Sequence, residues 1–253
     1  MLILAMESSA KPASVAVVSD GVLLGLYYQE SGLTHSRTLV NMTQSLLSNL
    51  SISLSDIGLV AVSRGPGSFT GVRIGVSAAK GLAWGLGIPV CGVSTLEAMA
   101  SQTPVEKVIL CPVMDARRAQ VYNSLFQWRE GTLCRLCDDR AISLGELAAE
   151  LRCSKFPGAD FIAASSSAEV HYNNPLTSAT ASDFRVLLVG DGAEMSFDFL
   201  ISEGINCQLA PVLIRRQTAY GVALAAEHES PVTAIELEPC YLRPSQAERE
   251  RMR

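Results

Sequence analysis

One arrangement occurs twice in this chain: an apolar strand ends on an acid and is followed at once by a second strand and a turn. Leu2 to Met6 runs into Glu7-Ser8-Ser9, after which Ala13 to Val18 reads as a strand turned by Asp20-Gly21 into a third, Val22 to Tyr28. Further on, Val108 to Met114 runs into Asp115, and Gln120 to Trp128 reads as one strand closed by Glu130-Gly131. Glu7 and Asp115 therefore hold matching places, about a hundred residues apart, a period too long for a solenoid unit and right for a duplicated lobe. The later parts echo each other too. Leu59 to Val62 runs into the turn Arg64 to Gly71, as Val186 to Val189 runs into Gly190-Asp191-Gly192-Ala193.

Helical spacing separates these strands. Leu39, Met42, Leu46, Leu47 and Leu50 place one apolar face on a helix that begins at Thr34, Val72 to Leu86 predicts a second, and Thr218 to Glu227 an Ala-rich third. Ile88 to Val93 returns as a strand. The fold class is α/β, two lobes each with a mixed sheet flanked by helices. The expected division is an N-terminal lobe over 1–103, a C-terminal lobe over 104–245 and a charged tail over 246–253, with the hinge near 100–106 and helix 218–227 able to pack back on the first lobe. Residues 154–183 shift to Ser, Ala, Asn and Pro and predict an irregular stretch.

Composition narrows the function. With 48% hydrophobic and 18% charged residues the 253-residue chain can bury a large core, which excludes a disordered protein. The longest charge-free apolar stretch, Gly81 to Leu96, is shorter than the roughly 18 residues of a membrane span and is broken by Gly85, Gly87 and Pro89. The opening MLILAMESS has no basic leader, so no secretory signal is expected and the expected compartment is the cytoplasm. Twenty basic residues against 25 acidic argue against strong nucleic-acid binding by the chain itself, so any RNA is expected to be held through a partner. Seven scattered cysteines predict reduced thiols; Cys134 and Cys137 form a CxxC without the second pair a structural zinc needs.

The candidate chemistry is thin. An acid ending the first strand of each lobe suits a nucleotide cleft, with Ser8 and Ser9 in the turn; equally, it can cap its own turn. SRGPGSFTGVRIG lacks the Gly-Lys-Ser/Thr of a P-loop and has Thr70 where a dinucleotide fingerprint wants glycine. A turn and helix start can still hold an anion through backbone amides, or its glycines can serve close packing. Gly71, Gly75 and Ala79 recur at intervals of four on one flank of the following helix, with Ser77, Gly81 and Gly85 on another. Two bare flanks call for two close neighbours, the protein's own sheet and either helix 34–50 or a partner chain. The groove at Gly75 and Ala79 is expected to face the partner. The three histidines, His35, His171 and His228, form no HxxxH or HExxH pair, and no GxSxG elbow surrounds Ser68, so neither a metal site nor a catalytic residue is expected.

ILAMESS, ASVAVV, THSRTLVNMTQSLL, GPGSFTGVRIG with its continuation to Leu96, VMDARRAQVY and the late PCYLR together closely resemble the TsaB family, non-catalytic subunits of the bacterial tRNA threonylcarbamoyladenosine machinery. The resemblance covers most of residues 1–126; Glu7 stands where many members have aspartate. It implies a duplicated actin-like ATPase (ribonuclease H-like) fold. It also implies a heterodimer with TsaD through the two N-terminal helices, with a homodimer through the same helices as a variant, and the ATPase TsaE joining the pair. TsaD carries paired metal-binding histidines at HxxxH spacing on the helix corresponding to 34–50; here His35 is followed at that spacing by Leu39. The interface residues so implied are His35, Leu39, Met42, Leu46, Gly71, Arg73, Gly75, Val76 and Ala79. The degenerate nucleotide cleft comprises Glu7, Ser8, Ser9, Asp115, Gly190 and Gly192, where Asp191 repels phosphate and weak or absent ATP or ADP binding is expected. The alternatives are an actin-like ATP-dependent phosphotransferase and a glycoprotease-like hydrolase.

Overall fold

A computed structural model describes residues 1–153 and 186–243, so the stretch expected to be irregular and the charged tail lie outside the described residues. The first sheet has the order β3-β2-β1-β4-β5, from β1 (Leu2–Glu7), β2 (Ala13–Ser19), β3 (Val22–Gln29), β4 (Leu59–Gly65) and β5 (Val90–Ser94). The first three strands are antiparallel neighbours, while β4 and β5 add in parallel. The second sheet repeats the plan as β10-β7-β6-β11-β12, from β6 (Ile109–Asp115), β7 (Gln120–Asn123), β10 (Arg140–Ser143), β11 (Val186–Val189) and β12 (Cys207–Leu209). β1, β2 and β4 are buried on both faces, which is why they read as unbroken apolar runs rather than as alternation.

The run from Gln120 to Trp128 is two strands, not the expected one: β7 pairs with Val113–Asp115, whereas β8 (Phe126–Arg129) pairs with Leu110 and with β9 (Thr132–Arg135). The break faces Pro112, which has no N–H to give the ladder. Asn123 Nδ2 donates instead to the Pro112 carbonyl at 3.0 Å.

Helices α1 (His35–Leu50) and α2 (Phe69–Leu86) cover one face of the first sheet, with Leu39, Leu46, Val72, Val76 and Ala79 packed on Leu4, Met6, Val15 and Val62. α2 starts three residues before the expected Val72: Ser68 caps it, accepting from Gly71 N at 3.3 Å, and left-handed Gly87 ends it. The other face is covered by α3 (Thr95–Ser101) and by a helix made much later, Ala219–Ala226. Between them in sequence come α4 (Leu144–Cys153), α5 (Ala193–Ser202) and the short α6 (Val212–Arg215), so the late helix is α7. A Cβ on Gly221 would sit 2.2 Å from Ala98 O, so α3 and α7 meet backbone to backbone.

From α7 the chain runs on as a strap along the first lobe. Val90 and Val232 exchange N–H···O bonds of 2.9 and 2.8 Å, which covers the outer edge of β5. Lys80 Nζ donates to the carbonyls of Ile235 and Leu237, Cys240 N donates to Arg64 O at 2.6 Å, and Arg73 Nε donates to Tyr241 OH at 2.8 Å. The Arg73 guanidinium also lies 3.9 Å over the Phe69 ring, which stacks on Tyr241 at 4.6 Å. Residues 219–243, which follow the second lobe in sequence, thus lie along the first.

Candidate functional site

Between the lobes opens a cleft of about 610 Å³. Ser9–Lys11 and Gly67–Thr70 line it from the first lobe, Met114–Arg117, Tyr122 and Asp191 from the second, and Cys240–Arg243 from the strap.

The glycine-rich turn is a packing device. A Cβ at Gly65 would lie 2.3 Å from Cys240 O, at Gly67 2.4 Å from Ser9 O, and at Gly71 2.1 Å from Ser8 O, so two backbone segments, the Ser8-Ser9 turn and the strap, close on this turn. Ser68 N donates to Ser9 O at 2.6 Å, and Ser8 Oγ donates to Gly71 O at 2.9 Å. A Cβ added at Gly75 would meet Ser8 Oγ at 2.4 Å and Val62 Cγ2 at 3.3 Å.

This overturns the expected groove. Gly71, Gly75, Val76 and Ala79 face the chain's own β1 turn and β4, and Ala79 is 0% exposed. Leu39, Met42 and Leu46 are likewise core residues, buried against the first sheet because they form the apolar face that makes α1 amphipathic. Of the nine expected interface residues only His35 and Arg73 reach the surface, and both are engaged: His35 Nε2 donates to Ala10 O at 2.9 Å, and Arg73 holds Tyr241. The open flank of α2 is the other one, where Gly81 and Gly85 have nothing within 4 Å and Trp84 is 71% exposed; on α1 Val40 is 45% exposed. Trp84 was the residue to find, since it continues the Ser77-Gly81 flank of the helix.

Glu7 and Ser8 do not line the cleft. Glu7 is 1% exposed and turns back on its own strand end, where Oε1 accepts from Ser9 N at 2.5 Å. Asp115 repeats the motif, accepting from Arg117 N at 2.7 Å, but stands exposed in the cleft wall. Burial pushes the Glu7 carboxyl above the usual carboxylate range, against the opposing pull of its bonds to Ser9; Oε2 and the nearby Ser63 Oγ have no hydrogen-bond partner.

The glycines of the second lobe's loop are also committed inward. Gly190 N donates to Arg215 O at 2.6 Å and Gly192 N to Val113 O at 3.1 Å, so neither amide is free for a phosphate. Left-handed Gly190, φ 106°, would place a Cβ 2.1 Å from Val113 O. Asp191 between them faces the cleft, its carboxyl pushed up by burial and, further, by the charge of Asp115, while Gln217 Nε2 donates to it at 3.0 Å. Lys11 and Arg117 remain as exposed cleft groups able to meet a ligand, whereas the Ser9 hydroxyl is buried.

Among the described residues no three His, Cys, Asp or Glu side chains come together as a metal site, and no helix is long and apolar enough to cross a membrane. Cys91, Cys111, Cys134, Cys137, Cys207 and Cys240 are free thiols; burial pushes Cys91 up to about 11, which keeps it protonated and unreactive at neutral pH.

Two copies of a hairpin-plus-parallel-strand unit with a cleft between them define a duplicated, two-lobed α/β architecture. The chain belongs to the family described as TsaD, tRNA N6-adenosine threonylcarbamoyltransferase, which matches residues 27–233. Among its relatives, the Bacillus subtilis tRNA threonylcarbamoyladenosine biosynthesis protein TsaB is 36% identical over 146 residues, 58% of this chain and 64% of that one. The Escherichia coli protein of the same name is 38% identical over 131 residues, 50% of this chain and 55% of that one. Each match thus spans less than two thirds of the relative's length. A solved Pseudomonas aeruginosa protein, described as similar to peptidase YeaZ, covers 96% of this chain and 99% of its own length, with a TM-score of 0.69 at 25% identity.

Proposed function

We propose that this chain is a non-catalytic subunit for N6-threonylcarbamoylation of adenosine in tRNA, acting in the cytoplasm by pairing with the catalytic TsaD and admitting the ATPase TsaE. The observation that carries the reading is at α1: the HxxxH position after His35 is Leu39, 1% exposed in the core, and His35 itself is spent on the Ala10 carbonyl. One imidazole so placed cannot chelate a metal for group transfer. The relatives named for threonylcarbamoyladenosine biosynthesis supply the pathway.

Pairing falls to the outward faces of α1 and α2. Trp84 and Val40 offer exposed apolar surface there, and Gly81 and Gly85 let a second backbone come close. The purified chain with threonylcarbamoyl-adenylate and tRNA should leave the adenosine unmodified until TsaD is added; product without TsaD would sink the reading. Trp84→Arg should weaken binding to TsaD at least tenfold, a loss of about 1.4 kcal/mol, while the melting temperature holds. ATP binding is weak or absent, because the Gly190 and Gly192 amides are used internally and Asp191 lines the approach. Calorimetry returning micromolar affinity overturns that part.

A further inference from the structure

Three successive residues of the turn that leaves the cleft wall, Arg117, which lines it, and then Arg118 and Ala119, hold left-handed backbone with φ of 62, 58 and 56°. Residues with a Cβ avoid this region, and such strain persists only where the surroundings over-determine it. Here they do. Asp115 accepts from Arg117 N at 2.7 Å, Ala116 N and Gln120 N close the turn at 3.0 and 3.3 Å, and Arg243 Nη1 reaches across from the strap to Ala116 O at 2.7 Å. Asparagine and glycine would make a tight hairpin without the strain.

What this turn does instead is hold two guanidinium groups out to solvent. Arg117 and Arg118 are exposed, and neither side chain has a hydrogen bond or ion pair among the described residues. Lys11, tied to Glu30 at 3.4 Å, and Arg243 stand on the same cleft. Against these four cations stand Asp115 and Asp191 in the cleft wall and Glu30 beside Lys11, which leaves an excess of one positive charge here in a chain of net charge −5. The neighbouring surface offers the hydroxyls of Ser68 and Thr70 rather than the apolar core of a protein interface. A polar, positively charged, rigid rim is the pattern of a nucleic-acid contact.

We propose that this rim touches the sugar–phosphate backbone of RNA, with Arg117 and Arg118 each meeting a phosphate. The inference rests on the tRNA reading above and adds to it a direct contact by this chain, where the charge balance alone led to the expectation of none.

The test is fluorescence anisotropy of a labelled tRNA anticodon stem-loop titrated with the full chain, alone and paired with TsaD, between 50 and 200 mM salt. Each phosphate contact contributes about 0.7 to 0.9 to the slope of log affinity against log salt, so Arg117→Ser/Arg118→Ser should flatten it by about 1.4 to 1.8. Arg117→Lys/Arg118→Lys should keep most of the slope, and Lys107→Ser, beyond the far end of β6, should leave it unchanged. Equal slopes for wild type and the double serine variant overturn the proposal. So does loss of TsaD pairing in that variant with RNA affinity intact, which would make the rim a protein contact. If wild-type chain does not pair with TsaD at all, the functional reading fails on its own, and the slope still decides the RNA contact.

Discussion

A carboxyl that is 1% exposed, with one oxygen lacking a hydrogen-bond partner, is costly to keep charged, and burial raises its pKa against the opposing pull of Ser9 and Ser63. The linkage to stability follows in sign. The folded value for Glu7 lies above its unfolded one, so the folded state binds the extra proton; stability is fully present below the unfolded value near 4.5 and is lost as pH rises through the folded value. Glu7→Gln keeps the shape and removes the titration. In urea unfolding at pH 5 and pH 8, the variant should gain on wild type as pH rises; the same difference at both values would assign the burial cost elsewhere. The acid was legible in the sequence as the end of a strand. Its direction was not, because a capping acid and a cleft acid share one spacing, and only Asp115 of the pair turned out to face the cleft.

At the scale of one helix, α2 carries glycines of opposite meaning. Gly71→Ala or Gly75→Leu drives a side chain into Ser8 or Val62, and overpacking of this kind costs about 1 to 3 kcal/mol, a fall of roughly 2 to 4 °C in melting temperature for each kcal/mol. Gly81→Ala and Gly85→Ala meet nothing within 4 Å and should each raise stability by about 0.5 to 1 kcal/mol. Thermal melts of the four variants check both signs. The two bare flanks could be read from the sequence, but which one faced inward could not: spacing gives the angle between residues and leaves the rotation of the helix to its neighbours. The helix start was hidden for a local reason, since Phe69-Thr70-Gly71 has poor helix propensity and is set by the Ser68 cap and by the close fit on Ser8.

For the whole molecule, duplication was the legible part, because each lobe repeats its strands and acids in order. The strap was not, because backbone hydrogen bonds between Cys240 and Arg64, or Val232 and Val90, leave no mark on composition. One of its side-chain holds is the Arg73–Tyr241 pair. Tyr241→Ala removes a hydrogen bond and a cation–π contact, about 1 to 3 kcal/mol together. Amide hydrogen exchange should then quicken at Val232 and Cys240 while the second lobe keeps its protection; uniform quickening would mean that the strap and both lobes unfold as one unit.

Because α7 seals the face formed by Ile3, Ala5, Ala16, Val18 and Ala61, the first sheet to leave the ribosome cannot be finished until Val222, Ala223 and Ala226 have been made. Until then the nascent first lobe keeps one oily face open, and its exposure to chaperones and to aggregation ends only with the arrival of α7.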